Sequence, residues 1–241
     1  MKKVVLQKFK YNLFEPATQN MHGLTIILYH GWGTDVGSYS NLAEDIAKKG
    51  FSVIVPEIIY HDTRHLLDNH FNKEMLQKYF WKTIVESIEE FDEFTEALGI
   101  PLPKIILVGS SMGGFIANGI FASSKKLAGL VNINGSGSFL LSERLFRKMD
   151  NRPDIPFEEE QMLRKYNPVE RKNCHSPVLL MHGDSDQTVP LDGQKDYFKH
   201  LTDVEGRNDV HLLIYQNINH QVTPEMIKDL MVWLNKIQIK K

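Results

Sequence analysis

Four short segments carry residue types that could do covalent chemistry together. In the first, Gly109-Ser110-Ser111-Met112-Gly113 sets a serine between glycines, directly after the apolar run Lys104 to Val108 and before a helical stretch from Gly114 onward. A serine at such a strand-turn-helix junction is held in a strained backbone conformation with its hydroxyl presented, which suits a nucleophile. Glycines on either side let strand and helix approach without a Cβ clash. The second segment, His30-Gly31-Trp32-Gly33, follows the run Leu24 to Tyr29. Attack on a carbonyl develops negative charge on its oxygen, and backbone N–H groups in a glycine-rich loop can receive that charge. The expected donors are the N–H of Trp32 and that of Met112, the residue after the serine. The Trp32 ring either lines an acyl pocket or sits as a core aromatic on the turn.

The third segment, His182-Gly183-Asp184-Ser185-Asp186-Gln187-Thr188-Val189-Pro190, follows the run Val178 to Met181 and offers two acids. A carboxylate there can orient a histidine and stabilise its imidazolium. Asp184, beside Gly183, stands where turn-capping carboxylates are common, so spacing leans towards Asp186 without settling the choice. In the fourth, Asn219-His220-Gln221, a histidine follows the last apolar run, Val210 to Tyr215, where a general base can reach the serine from the same sheet edge. The implied chemistry is a two-step acyl transfer. Ser111 attacks, His220 takes and returns the proton, the acid orients His220, and water releases the acyl group. That chemistry needs no metal and no organic cofactor.

Two other groups of residues merit the same test. His61, His65 and His70 fall near Asp62 and Asp68, and His61 with His65 has the i, i+4 spacing of a metal-binding helix face. The surrounding pattern is weakly helical and no third ligand is fixed, so the stretch reads as a solvated polar connection. Cys174 is a lone thiol with no partner motif and reads as a small packing residue.

These loops must be positioned by the elements they join. Six apolar runs, Leu24 to Tyr29, Phe51 to Val55, Lys104 to Val108, Leu127 to Ile133, Val178 to Met181 and Val210 to Tyr215, are near-continuous, as strands buried on both faces should be. Helical candidates alternate with them at about Tyr39 to Lys49, Met75 to Leu98, Gly114 to Ser123, Gly193 to His200 and Pro224 to Ile239. The Met75 to Leu98 stretch carries the apolar stripe Phe80, Ile84, Ile88, Phe91 and Leu98 of a helix packed on a sheet. Thr223 is a natural N-cap and Pro224 suits the first helical position. The alternation predicts an α/β fold with a mainly parallel central sheet flanked by helices. Val4 to Phe14 adds an antiparallel hairpin or edge strand. Residues 136–173 contain no strand-like run, but two apolar helical pieces, at Phe139 to Met149 and Phe157 to Tyr166, are separated by Pro153-Asp154-Ile155-Pro156. They are expected to form a small helical cap insert within one domain spanning 1–241, with a helical excursion on the sheet edge as the alternative.

Composition narrows the class. With 42% hydrophobic and 24% charged residues, a chain of 241 residues supports one sizeable core. Twenty-eight Lys and Arg against 30 Asp and Glu give a formal charge of -2, which disfavours nucleic acid as a partner and suits a small-molecule ester or acyl substrate. One cysteine permits no intrachain disulfide, and no apolar stretch reaches the ~20 residues of a membrane span. A soluble, cytoplasmic protein is expected.

From His30-Gly31-Trp32-Gly33 through the Ser111 pentapeptide to Asn219-His220, the sequence resembles α/β-hydrolases, and in particular small bacterial serine esterases related to dienelactone hydrolases and prolyl oligopeptidase catalytic domains. The resemblance implies the α/β-hydrolase fold and an acid at the third position after the glycine of His182-Gly183-x-x-Asp186-x-x-Val189-Pro190, which selects Asp186. Dienelactone hydrolases typically use a cysteine nucleophile, so that particular activity is not implied by Ser111. Prolyl peptidases of this kind carry an amino-terminal propeller, whereas 29 residues precede His30. The expectation is therefore carboxylic ester or thioester hydrolysis. The alternatives are a peptidase or another acyl-transfer enzyme with the same triad, or a non-catalytic small-molecule binding protein on the same fold.

Overall fold

The computed structural model describes residues 1–17 and 21–237. Its eight-stranded sheet is formed by β1 (Lys2–Leu6), β2 (Phe9–Phe14), β3 (Thr25–Tyr29), β4 (Ser52–Pro56), β5 (Ile105–Ser110), β6 (Gly129–Ile133), β7 (Val178–Gly183) and β8 (Val210–Tyr215), in the order β1-β2-β4-β3-β5-β6-β7-β8. The amino-terminal hairpin is antiparallel, β2 pairs antiparallel with β4, and every other pair is parallel. The helices are α1 (Ser40–Lys48), α2 (Lys73–Glu89), α3 (Phe91–Leu98), α4 (Met112–Ser123), α5 (Phe139–Met149), α6 (Phe157–Tyr166), α7 (Leu191–Lys199) and α8 (Pro224–Leu234). The α/β architecture expected from the alternation of runs is the one observed.

Side-chain alternation along the strands divides the interior into two cores. Ile27, Ile54, Ile105 and Leu107 face one side, with Ile84, Phe115, Ile116, Phe139 and Leu163 from the helices. Ile26, Leu28, Val53, Ile106 and Val108 face the other, where α1 contributes Ile46 and α8 contributes Leu230 and Trp233. Burial on both faces is what makes the central strands read as unbroken apolar runs. β8 departs from that expectation: as the edge strand it buries Val210 and Tyr215, while His211 and Ile214 reach solvent.

Three further differences have local causes. The stretch Met75 to Leu98 is two helices, because the backbone turns at Glu90, which caps α2 and precedes α3. The helix after β7 starts at Leu191, just beyond Pro190, and runs into a π-helical turn at His200–Val204. The last helix begins as expected, with the Thr223 hydroxyl accepting from the Met226 N–H and Pro224 in the first turn, but it ends at Leu234. Residues 238–239 of the expected helix lie outside the described residues.

The segment 136–173 forms α5 and α6 with the expected boundaries. Phe139 and Leu163 are fully buried, and the Phe139 ring lies 5.3 Å from that of Trp81 and 5.9 Å from that of Phe115. Glu143 is buried beneath the segment, where it accepts from Trp81 Nε1 at 2.7 Å and from Arg147 Nε at 2.6 Å. α5 thus rests on α2 and α4 through both aromatic packing and a charged hydrogen-bond cluster.

Candidate active site

The parallel strands bring the loops after β3, β5 and β7 to one edge of the sheet. The chain leaves β3 towards β4 on one side and enters β5 on the other, so the β3 and β5 loops meet where the strand order reverses, the crevice at which open α/β sheets place their ligands.

Ser111 lies between β5 and α4 at φ 55° and ψ -122°, a left-handed conformation disfavoured for a side-chain-bearing residue. Its N–H donates to the Ile133 carbonyl at 2.8 Å, and its carbonyl accepts from Gly114 N–H at 2.8 Å. The flanking glycines are required sterically. A Cβ on Gly109 would run into the Gly113 backbone, and one on Gly113 into the Tyr29 and His30 carbonyls. Strand, turn and helix therefore pack with no room for larger residues, which fixes the direction of the Ser111 side chain.

The Ser111 hydroxyl donates to His220 Nε2 at 2.8 Å, and His220 Nδ1 donates to Asp186 Oδ2 at 2.7 Å. Asp186 is fully buried at its side chain. Burial alone would raise its pKa, but hydrogen bonds from His182, His220 and the Val189 N–H outweigh that effect and hold the carboxyl well below its usual range. Its other oxygen accepts from the Thr188 and Val189 N–H groups at 2.9 and 2.8 Å. An acid so held stays ionised and keeps His220 in the tautomer whose Nε2 can accept the serine proton. Asp184 takes the turn-capping part, accepting from Ser185 Oγ at 2.8 Å and Asn217 N–H at 2.7 Å on the surface.

Met112 is the first residue of α4, and Trp32 follows Gly31 in the β3 loop; a Cβ on Gly31 would lie 3.3 Å from Ser111 Cβ, so the two loops touch. Among the described residues, neither the Trp32 nor the Met112 N–H donates to a protein acceptor. Free N–H groups at a helix start beside a nucleophile are suited to an oxyanion. The Gly31 carbonyl accepts from Thr34 Oγ1 at 2.8 Å, which fixes the opposite end of the peptide carrying the Trp32 N–H.

The stretch His61 to His70 is neither a helix nor a solvated connection. His61 is fully buried and accepts from the Gly33 N–H at 3.1 Å, Asp62 lies 3.0 Å from buried His30, and Trp32 Nε1 donates to the His70 carbonyl at 2.7 Å. His65 and Asp68 point away into solvent, and no cluster able to hold a metal occurs among the described residues. The Trp32 ring packs edge-on to His61, His70 and Phe80 and is partly buried, as the core-aromatic alternative has it. Cys174 is buried, and its thiol lies 3.7 Å from the Leu127 carbonyl, as a packing residue would be.

Sequence reasoning missed His61, Asn134 and Asn219. Asn134, at φ 52°, accepts from Gly183 N–H at 3.2 Å and donates to the Gln221 carbonyl at 2.9 Å, tying the β6, β7 and β8 loops together. Its signal was the Asn134-Gly135 pair, a turn dipeptide directly after a strand. Asn219 accepts from Gln187 N–H and its neighbour His220 N–H at 3.0 and 2.8 Å, which couples the acid loop to the histidine loop.

Comparison with known proteins places the chain among hydrolases. Residues 48–238 match the prolyl oligopeptidase family, a span that includes Ser111, Asp186 and His220 but begins after Trp32. Esterase YjfP of Escherichia coli (strain K12) is 25% identical over 218 residues, covering 84% of each chain. The putative esterase YitV of Bacillus subtilis (strain 168) is 24% identical over 226 residues, covering 86% of this chain and 87% of that one. The crystal structure of TT1662 from Thermus thermophilus superposes with a TM-score of 0.75 at 17% identity, over 100% of this chain and 98% of that one, a likeness of fold.

Proposed function

Because this chain belongs to the prolyl oligopeptidase family, we propose that it is a serine hydrolase cleaving small carboxylic esters or thioesters through an acyl-enzyme on Ser111. The observation that carries the reading is the unbroken hydrogen-bonded chain from the Ser111 hydroxyl through His220 to ionised Asp186. In this reading His220 takes the serine proton as Ser111 attacks the carbonyl carbon, and the oxyanion is received by the Trp32 and Met112 N–H groups. His220 then protonates the leaving alkoxide or thiolate and activates the water that releases the acid. The esterase names of the two curated relatives favour esters over peptides as substrates.

Two further parts belong to the same reading. Residues 136–173 act as a fixed wall within a single hydrolase domain, because Phe139, Leu163 and Glu143 anchor them. The same proposal places the protein in the cytoplasm as a small-molecule enzyme, its single cysteine allowing no intrachain disulfide. Turnover of p-nitrophenyl acetate, butyrate and octanoate by the wild type and by Ser111→Ala tests the assignment. Hydrolysis by the wild type and its loss in the variant are expected. Equal rates in the two proteins, or none in the wild type across ester and thioester panels, refute it.

A further inference from the structure

The loop after β4 is folded back on the β3 loop with unusual strain: Tyr60, Asp62 and His65 all have positive φ. Its contact with the β3 loop is made by groups that match one another. His61 Nε2 lies 3.1 Å from the Gly33 nitrogen, a pure donor, so Nε2 carries no proton and accepts. His61 Nδ1 lies 3.2 Å from the Ile59 carbonyl, a pure acceptor, so the ring proton is on Nδ1. One tautomer satisfies both partners, and it is the neutral one. The ring has no access to solvent, and His30, Trp32 and His70 surround it with centroids 5.4, 5.0 and 4.2 Å away.

We propose that His61 is a positioning residue for the oxyanion site, acting as a neutral acceptor that fixes the Gly33 N–H and through it the peptide planes on either side of Trp32. The inference rests on the proposed role of the Trp32 N–H. Gly33 has φ +69°, so its backbone has glycine's freedom and needs an outside constraint to stay in one orientation. At the other end of the same tripeptide, the Gly31 carbonyl is held by Thr34. His61 thus closes the second end of a clamp whose middle residue supplies the donor. Its charge state agrees: burial first, then the neighbouring His30, lowers its pKa to about 3, so it remains an acceptor over the working range of an enzyme whose base is a histidine.

The test combines tautomer observation on the wild type with two substitutions. Long-range proton–nitrogen correlation spectra, with His61 assigned by its loss in His61→Gln, should show His61 as the Nδ1–H tautomer, neutral from pH 5 to 8. His61→Leu keeps the bulk but has no acceptor, whereas the Gln carbonyl can stand where Nε2 stood. Misplacing a transition-state donor should lower kcat of His61→Leu roughly 10²-fold with KM changed less than about threefold, and His61→Gln should recover about tenfold of that loss. A folded His61→Leu with wild-type kcat, a His61→Gln as slow as His61→Leu, or an Nε2–H or doubly protonated ring at pH 7 would overturn the proposal. If His61→Leu does not fold, the tautomer and the His61→Gln kinetics still decide it. If the wild type hydrolyses no ester, the assigned activity fails separately, and the tautomer still reports whether His61 holds the loop.

Discussion

Three loop side chains, Ser111, His220 and Asp186, form a hydrogen-bonded chain only because each is fixed by groups around it. Asp186 shows this most clearly. Two backbone N–H groups fix one of its oxygens, while His220 holds the other, with His182 Nε2 3.4 Å away. Replacing it by Asn keeps the shape but removes the charge and presents an amide to His220 Nδ1, favouring the wrong imidazole tautomer. Asp186→Asn is therefore expected to lower kcat by roughly 10³ to 10⁴-fold with the fold intact, read by steady-state kinetics and circular dichroism. Asp184→Asn is expected to leave kcat within about threefold, because the Asp184 carboxylate bonds Ser185 Oγ and the Asn217 N–H at the surface and reaches neither Ser111 nor His220. The reverse pattern would move the acid to Asp184. At this scale Ser111 and His220 were legible in the sequence, because Ser111 directly follows a strand at a glycine-flanked turn and His220 lies in the loop after the last strand. Spacing left the acid open, and only resemblance chose Asp186. His61 was illegible: its neighbourhood has no periodicity, and its partner Gly33 is brought to it solely by the packing of two loops.

Among the elements, the buried parallel strands were the easiest to read, since burial on both faces leaves few polar residues to interrupt the apolar run, Asn132 in β6 being one. The break between α2 and α3 at Glu90 has no Pro or Gly to announce it, so the shared stripe of Phe80, Ile84, Ile88 and Phe91 looked like one helix. The two helices of 136–173 were read with their observed limits, but sequence could not say what they rest on. Their packing on Trp81 and Phe115 argues for a wall and not a hinge. Phe139→Ala is expected to cost about 3–5 kcal/mol of unfolding free energy, as deletion of a fully buried ring does, measured by urea denaturation. A lid that opens freely would lose far less on the same substitution.

For the whole molecule, stability should carry the signature of buried His61. Its folded pKa of about 3 lies below the ordinary histidine value near 6.5, so between those values the unfolded chain binds more protons. Stability therefore rises with pH across that window and is lost on acidification, by at most about 1.4 kcal/mol per pH unit. His30, His70 and Asp62 surround the same ring; the Ile59 carbonyl and, less strongly, Asp62 favour its charged form, while burial, His30 and His70 oppose it. Asp186, with its lowered pKa, adds stability present above the ordinary carboxylate range and lost below it, whereas Glu159, raised by burial, works in the opposite sense from about pH 4.5 upward, so the contribution of His61 is read as a difference between proteins. His61→Gln should flatten the dependence of urea-unfolding free energy on pH across the window set by His61; an unchanged slope would assign it to other groups.

The same sheet that creates this buried environment brings all four loops to one edge, and its central consequence is a single activated serine. Mass mapping after exposure to a fluorophosphonate tests that consequence most directly. A stoichiometric adduct on the peptide containing Ser111, formed rapidly by the wild type and lost or greatly slowed in His220→Ala, is the predicted result. An unmodified protein, or an adduct confined to Ser110 or any other residue, would contradict the account.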